Sequence, residues 1–244
     1  MLLSILIFLL SIVPSVLIFI WLRSRHKDDT LYKKNCNSAF IRGLISALPV
    51  VVLSAVLFFL NAIIRLSLFP YMDNLLYKAI YTFVVLAFVE EIVKYTVFRL
   101  LLKKKNYAYT WADVAAVMVI VGVAFGLIED IPYAIGSNPI EMLVRGFTMG
   151  HVGYGFIMGW FYGKRLYTGK KGYGVIAVLL PWLIHGLYDF SLTPELIELN
   201  DNFAVLGVSL ALADIVLLIL MIRFFVRSKK KERYQQPVLA IEQV

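Results

Sequence analysis

The sequence predicts an all-α fold, a polytopic membrane helix bundle with about seven transmembrane helices. Hydrophobic residues make up 61% of the 244 residues, whereas a soluble domain averages roughly 45–50% apolar residues. The excess lies in seven long runs, each close to the ~20 residues that a helix needs to cross ~30 Å of hydrocarbon. In chain order, the runs cover about residues 2–22, 43–64, 77–100, 111–132, 142–163, 173–192 and 204–226.

The first run resembles a signal peptide in its position but not in its flanks. A signal peptide has a basic region before its apolar core. The stretch 1–8 contains no basic residue, and Arg23 and Arg25 follow the run instead. We therefore expect a retained transmembrane helix.

The loops between the runs predict the orientation of the helices. The stretches 23–38, 102–110 and 164–172 and the tail from Arg227 onward contain 17 of the 24 basic residues. The alternate loops contain acidic residues and no basic ones; these are Asp73, Glu141, Glu195, Glu198 and Asp201. Basic loops lie on the cytoplasmic side, so the N-terminus is predicted outside and the C-terminus in the cytoplasm. The net charge of +8 is then an orientation signal with affinity for anionic membrane lipids, and nucleic acid is not an expected partner.

Ionisable side chains are concentrated in the predicted third to sixth helices. A charged residue in the middle of a span costs roughly 2.5–3.5 kcal/mol on insertion scales, and such residues are functional candidates by default. The set is Glu90, Glu91, Lys94, Glu129, Asp130, Arg145, His151, His185 and Asp189. Because no sizeable soluble segment exists, any chemistry is expected within the membrane or at its edges.

The spacing of these residues predicts which of them meet. Glu90 and Lys94 are four residues apart and share a helix face, so we expect them to pair. Glu91 is turned by about 100° toward a neighbouring helix. His185 and Asp189 are also four residues apart, and Asp189 is expected to fix the imidazole ring.

Four consecutive helices can thus direct carboxylates and imidazoles at one point, between the midplane and the predicted outer face. Together these groups supply what water activation needs, namely a carboxylate base, an imidazole and donors for a developing oxyanion.

Three short motifs on successive predicted helices are EEIVK (90–94), FGLIE (125–129) and HGLYD (185–189). They match the patterns E-E-x-x-K, F-x-x-x-E and H-x-x-x-D, and the chain resembles the PrsW family of intramembrane proteases over about residues 75–192. This family is related to the type II CAAX prenyl endopeptidases and to the Aph-1 subunit of γ-secretase.

The resemblance implies a division of the chain and a function. Residues 75–192 would form the catalytic core, residues 1–74 the first two helices, and residues 193–244 the last helix and the basic tail. PrsW-like proteins cleave membrane-anchored anti-sigma factors on the extracytoplasmic side. The implied partner is therefore a single-pass membrane protein such as an anti-sigma factor, in a bacterial cell membrane.

The resemblance also implies roles for individual residues. In the related CAAX enzymes the first glutamate of the pair activates water, which gives that role to Glu90 and a supporting one to Glu91. Glu129 stands where those enzymes have histidine, and Asp189 where they have asparagine. The predicted catalytic set is Glu90, Glu91, Glu129, His151, His185 and Asp189, supported by Lys94, Phe125 and Arg145.

The choice of base and the cofactor stay open at this point. Either Glu90 or Glu91 can be the base. Glu129 can share a proton with Glu90, or a divalent metal such as zinc can be held by Glu90, Glu129 and one histidine, His185 or His151. No H-E-x-x-H motif is present, and the sequence requires no cofactor.

Two other functions are compatible with the same residues. A non-catalytic scaffold or substrate-presenting subunit of the Aph-1 kind would use them to stabilise helix packing. A proton-coupled transporter would use them as a relay, but it predicts inverted repeats, and none is visible.

Structural interpretations remain for several other residues. Glu129 can simply be solvated at the outer interface, where we also place Asp130. Arg145 can either meet a substrate carbonyl or reach outward to water. His26 lies in a basic loop and is expected to be solvated. Asp214 is the one ionisable residue in the middle of the seventh run, and we expect it to form a hydrogen bond with another helix. The glycines of the fifth run form a small-residue stripe for close helix packing; these are Gly155, Gly159 and Gly163.

Overall fold

The computed structural model describes residues 2–67, 74–103, 110–136 and 138–231. Within these ranges all regular structure is helical, which confirms the all-α fold. The elements are α1 (Leu2–Arg23), α2 (Thr30–Ile45), α3 (Ala47–Ser67), α4 (Asn74–Ile80), a π-helix (Tyr81–Phe88), α5 (Val89–Leu102), α6 (Trp111–Gly136), α7 (Pro139–Thr148), α8 (Gly150–Thr168), α9 (Gly172–Ser191), α10 (Pro194–Leu199) and α11 (Asn202–Lys231).

Five helical stretches of the described ranges are long and apolar enough to cross a membrane. They are Ile5–Arg23, Thr30–Ile63, Trp111–Ala134, Gly172–Ser191 and Asn202–Ser228. They correspond to the first, second, fourth, sixth and seventh predicted spans, and they indicate a multi-pass membrane protein. The inside–outside orientation remains a prediction, and several of the charges behind it lie outside the described residues, namely Asp73, Lys104, Lys105 and Arg233.

The third predicted span, 77–100, is not one regular α-helix. The helices α4 and α5 are joined without a break by the π-helix, whose i→i+5 bonding is rare and often occurs at functional sites. Glu90 and Glu91 lie in the first turn of α5, immediately after it.

The fifth predicted span, 142–163, is interrupted at Met149. This residue has φ 47° and ψ 48°, in the left-handed region, and it ends α7 and precedes α8. Upstream, α7 starts with a capping box in which the Asn138 side chain accepts from the backbone of Glu141 and the Glu141 side chain accepts from that of Asn138. The break divides the segment into two helices and lies two residues before His151.

The basic stretch 23–38 is only partly a loop. Asp29 accepts a hydrogen bond from the Tyr32 backbone N–H and caps α2, which therefore begins inside the predicted loop. The expectation that His26 is merely solvated is wrong, because its Nε2 lies 2.9 Å from Oδ1 of Asp113, a fully buried carboxylate at the start of α6.

The core of the bundle is built around α6, which packs against α8 through small residues. A Cβ on Gly159 would lie 2.8 Å from Ala115 Cα, and one on Gly155 would lie 2.9 Å from the Met118 carbonyl oxygen. The predicted small-residue packing of α8 is therefore confirmed, and it brings the two helices close enough for their polar residues to meet.

We expect Gly159→Ala to lower the thermal unfolding midpoint of the detergent-solubilised protein, because the methyl group forces α8 away from α6. Overpacking of this kind costs typically about 1–3 kcal/mol. The matched control is Gly172→Ala, since a Cβ at Gly172 meets nothing within 4 Å. Equal unfolding midpoints for the two variants would contradict the close packing.

Candidate active site

Polar side chains from four helices meet at one place in the bundle. They come from α5, from the C-terminal half of α6, from the start of α8 and from the C-terminal half of α9. The members are Glu90, Glu91, Lys94, Glu129, His151, His185 and Asp189. All six residues predicted as catalytic lie in this cluster.

The middle of the cluster is formed by Glu90 and two histidines. Glu90 Oε2 lies 4.0 Å from His151 Nε2 and 3.9 Å from His185 Nε2. The two imidazole rings are 5.1 Å apart and nearly perpendicular. Glu90 Oε2 is buried and has no hydrogen-bond partner among the residues that the structure describes. This carboxylate oxygen therefore faces both imidazoles and is free to bind a further group.

His185 is held from two sides. Its Nδ1 lies 2.9 Å from Glu91 Oε1, and its Nε2 lies 3.1 Å from Asp189 Oδ2. The predicted contact with Asp189 is present, but the nitrogen remote from Glu90 is held by Glu91. A carboxylate on that nitrogen fixes the tautomer and the orientation of a functional histidine. The two glutamates thus differ: Glu91 positions the ring, and Glu90 faces it.

Lys94 pairs mainly with Glu91 rather than with Glu90, its predicted partner. Its Nζ lies 2.7 Å from Glu91 Oε1 but 3.8 Å from Glu90 Oε2. The same ammonium lies 2.9 Å from His151 Nδ1 and 4.4 Å from the centre of the Phe125 ring. Lys94 and Glu91 are each 1% exposed, so the Lys94–Glu91 ion pair is buried. Phe125 supports it through a cation–π contact.

Glu129 and Arg145 form the outer part of the cluster. The Glu129 carboxylate hydrogen-bonds to His151 Nε2 and lies 3.2 Å from the Arg145 guanidinium, which also lies 3.3 Å from Asp130 Oδ1. The guanidinium stacks 3.6 Å above the centre of the Tyr133 ring. Arg145 therefore points inward to α6, Asp130 is buried, and Glu129 is bonded within the cluster rather than simply solvated.

A cavity of about 50 Å³ adjoins the cluster. It is lined by Glu129, Arg145, His151, His185, Tyr188 and Asp189, among others. A water molecule needs roughly 10–15 Å³ of such space, so a few water molecules fit beside both histidines. Backbone strain lies at its edge, because a non-glycine residue in the left-handed region, here Met149, costs of order 1–3 kcal/mol.

The sequence profile of the family described as PrsW family intramembrane metalloprotease matches residues 34–225. The chain belongs to the PrsW family. Protease PrsW of Clostridioides difficile (strain 630) is 28% identical over 199 residues, which are 78% of this chain and 80% of that protein. Protease PrsW of Shouchella clausii (strain KSM-K16) is 31% identical over 84 residues, which are 30% of this chain and 39% of that protein. No solved structure matches.

Membership of the PrsW family confirms the resemblance and makes the protein a membrane protease. The matched region is wider than the predicted core of residues 75–192, because it includes most of α2, all of α3 and most of α11. A protease family also disfavours the scaffold and transporter alternatives. The division into three parts at residues 74 and 192 remains a prediction.

The family description includes a metal, and the residues present fit one. Glu90, His151 and His185 each offer one ligand atom, and these atoms lie within 4.8 Å of one another. Zinc binds such atoms at roughly 2.0–2.2 Å, so two ligands of one ion lie at most about 4.4 Å apart. Both Glu90–histidine distances satisfy this limit, and the two histidine nitrogens lie within 4.8 Å, so they need to approach by at most about 0.4 Å to share one ion. The carboxylate of Glu91 on His185 Nδ1 is the outer support that metal-binding histidines have. Two imidazoles and one carboxylate also leave a position open for water, as in catalytic zinc sites.

Two aromatic residues of the site were missed by the sequence analysis. The Tyr154 ring stacks on His185 at 5.1 Å between centroids, and the Trp182 indole donates to the backbone of the π-helix. Both lie in the middle of predicted spans. This position is unusual, because membrane tyrosines and tryptophans are enriched at the interfaces, and it could have marked them as site residues. Asp214 is buried in α11 beside Gly153, and its interhelical hydrogen bond remains a prediction.

Proposed function

We propose that Glu90, His151 and His185 form the centre with which this PrsW family protease hydrolyses a peptide bond of a membrane-anchored protein. The observation that carries the proposal is the convergence of three ligand atoms from α5, α8 and α9 within 4.8 Å. Ionisable side chains in the interior of a membrane bundle cost free energy, and they are functional candidates for that reason.

In this proposal, Glu90 is the base. Its Oε2 has no hydrogen-bond partner among the described residues, so it accepts a proton from a water molecule placed between the imidazoles. The water oxygen then attacks the carbonyl carbon of the peptide bond. Glu90 then passes the proton to the leaving nitrogen as the C–N bond breaks.

The remaining residues hold these groups in place. Glu91 fixes His185 through Nδ1, and Lys94 neutralises Glu91 and contacts His151 Nδ1. Glu129 holds His151 on its other nitrogen, and Arg145 holds Glu129. Glu90, His151 and His185 would hold a divalent ion such as zinc if the histidine Nε2 atoms exchanged their contacts with Glu129 and Asp189 for the ion. Glu90 would then be a ligand, and the ion would supply the Lewis acid that activates water in place of the base.

The substrate proposed is a single-pass bacterial membrane protein of the anti-sigma factor kind, cut on the extracytoplasmic side of the cell membrane. The cavity is lined by residues near the C-terminal end of α6 and the start of α8. The C-terminal end of α6 leads to the segment that contains Glu141, one of the acidic loop residues that the distribution of basic charge predicts outside. Two observations support cleavage on the extracytoplasmic side: the position of the cavity and the resemblance to the PrsW family.

The proposal is tested by reconstituting the purified protein in liposomes with a membrane-anchored anti-sigma factor. We expect a new N-terminus, mapped by mass spectrometry, on the extracytoplasmic side near the membrane. With 1,10-phenanthroline, cleavage should stop, and added Zn²⁺ should restore it. Cleavage that persists after removal of metal assigns the chemistry to Glu90 and water alone. If no membrane-anchored substrate is cut by wild-type protein, the proposed function is wrong.

A further inference from the structure

The π-helix that precedes Glu90 is bound to its neighbours by side-chain hydrogen bonds to its carbonyl oxygens. The Trp182 indole Nε1–H donates to the carbonyl oxygen of Phe83, with a distance of 2.6 Å. The Ser54 hydroxyl, from α3, donates to the carbonyl oxygen of Val85 at 3.0 Å. Carbonyl groups that leave the α-helical pattern inside a membrane need such partners, because water is absent there. The two donors therefore stabilise the π-helical register.

Trp182 connects this register to His185. The two residues are three positions apart in α9 and lie on neighbouring points of its surface. The rings of Trp182 and Phe88 pack edge to face at 5.5 Å. On the other side of His185, the Phe83 ring packs so closely on Gly186 that a Cβ there would lie 2.5 Å from it. Contacts between the π-helix and α9 thus flank the histidine on both sides.

We propose that Trp182 is a positioning residue: its hydrogen bond to Phe83 holds the π-helix in the register that presents Glu90 and Glu91 to His185. The inference rests on the proposed function of that cluster. A register shift of one residue turns a side chain by about 100°. Such a turn moves Glu90 away from the imidazoles and Glu91 away from His185 Nδ1.

The test compares Trp182→Phe with Trp111→Phe. Each substitution keeps an aromatic ring and removes one indole-to-carbonyl hydrogen bond between helices, since Trp111 Nε1 donates to the Trp160 carbonyl oxygen at 2.8 Å. Trp111 begins α6, far along the helix from Glu129. We expect Trp182→Phe to lower kcat for the membrane-anchored substrate about tenfold or more with little change in KM, since small misplacements of catalytic groups have large effects. Trp111→Phe should leave kcat unchanged, although both variants lower the unfolding midpoint.

A second measurement tests the register of the π-helix independently of substrate cleavage. Hydrogen exchange of the peptide 81–93 should be faster in Trp182→Phe than in wild-type protein, and unchanged in Trp111→Phe. Ser54→Ala, which removes the other donor and leaves α9 intact, should also speed this exchange. Unchanged exchange in Trp182→Phe overturns the proposal whether or not the protein cleaves the substrate. Faster exchange with an unchanged kcat also overturns it, while a wild-type protein without activity contradicts only the proposed function.

Discussion

Glu90→Gln is expected to lower the rate of substrate cleavage by about 10²–10⁴-fold, the contribution typical of a general base, while the protein stays folded. The amide cannot accept the proton of water. It leaves in place the Glu91–Lys94 ion pair and the Glu91–His185 contact, which do not depend on Glu90. The measurement is kcat of purified protein in liposomes, together with the unfolding midpoint.

The matched control for this prediction is Glu198→Gln, the same substitution on an exposed residue of α10. It should cleave as wild type does. Glu91→Gln should lower both activity and stability, because Glu91 is buried and bonds to Lys94 and His185. If Glu90→Gln keeps the wild-type kcat while Glu91→Gln abolishes cleavage without loss of stability, the base is Glu91 and the assignment made here is wrong.

Lys94→Met is expected to destabilise the protein by about 3–5 kcal/mol, because it leaves a buried carboxylate without its cation. The carboxylate left without its cation is that of Glu91, whose Oε1 lies 2.7 Å from the Lys94 ammonium. For a chain of this size each kcal/mol lowers the unfolding midpoint by roughly 2–4 °C. The shift should therefore be on the order of 10 °C.

Two comparisons isolate the ion pair. Lys78→Met removes the cation of a pair with Glu195, whose side chain is 64% exposed, and should change the free energy of unfolding by less than about 1 kcal/mol. The double variant Lys94→Met/Glu91→Gln should be more stable than Lys94→Met alone, because the uncompensated charge is gone. A double variant no more stable than Lys94→Met would contradict the assignment of Glu91 as the main partner.

Much of the fold could be predicted from sequence because membrane helices follow the length and composition of apolar runs. Five predicted spans correspond to long apolar helices. The interruptions could not be predicted in the same way. The left-handed residue is Met149 itself and not the adjacent Gly150, and the π-helix occupies the ordinary apolar stretch Tyr81–Phe88. The π-helix depends on donors from α3 and α9, which the sequence of its own segment does not report.

The membership of the site could also be predicted, together with the His185–Asp189 contact along one helix, but not the contacts between helices. Ionisable residues in spans and three spaced motifs were sufficient to select Glu90, His185 and their neighbours. The spacing of four residues favoured a Glu90–Lys94 pair, whereas the lysine bends to Glu91 and to His151 on another helix. The position of Arg145 near a helix end favours an outward path to water, whereas its guanidinium contacts Glu129 and Asp130 on α6. Partners on other helices depend on how the helices pack, which spacing along one helix does not report.

The most direct test of the proposed centre is a Zn²⁺ titration of the purified, metal-stripped protein and of three histidine variants. The chain has three histidines, and His26 pairs with Asp113, a residue outside the cluster, so His26→Ala is the control. We expect about one ion per wild-type chain. His151→Ala and His185→Ala should each weaken zinc binding by more than the roughly 10–100-fold typical of losing an outer support, and His26→Ala should bind as wild type does. If both His151→Ala and His185→Ala bind zinc as tightly as wild-type protein, Glu90, His151 and His185 do not form one centre.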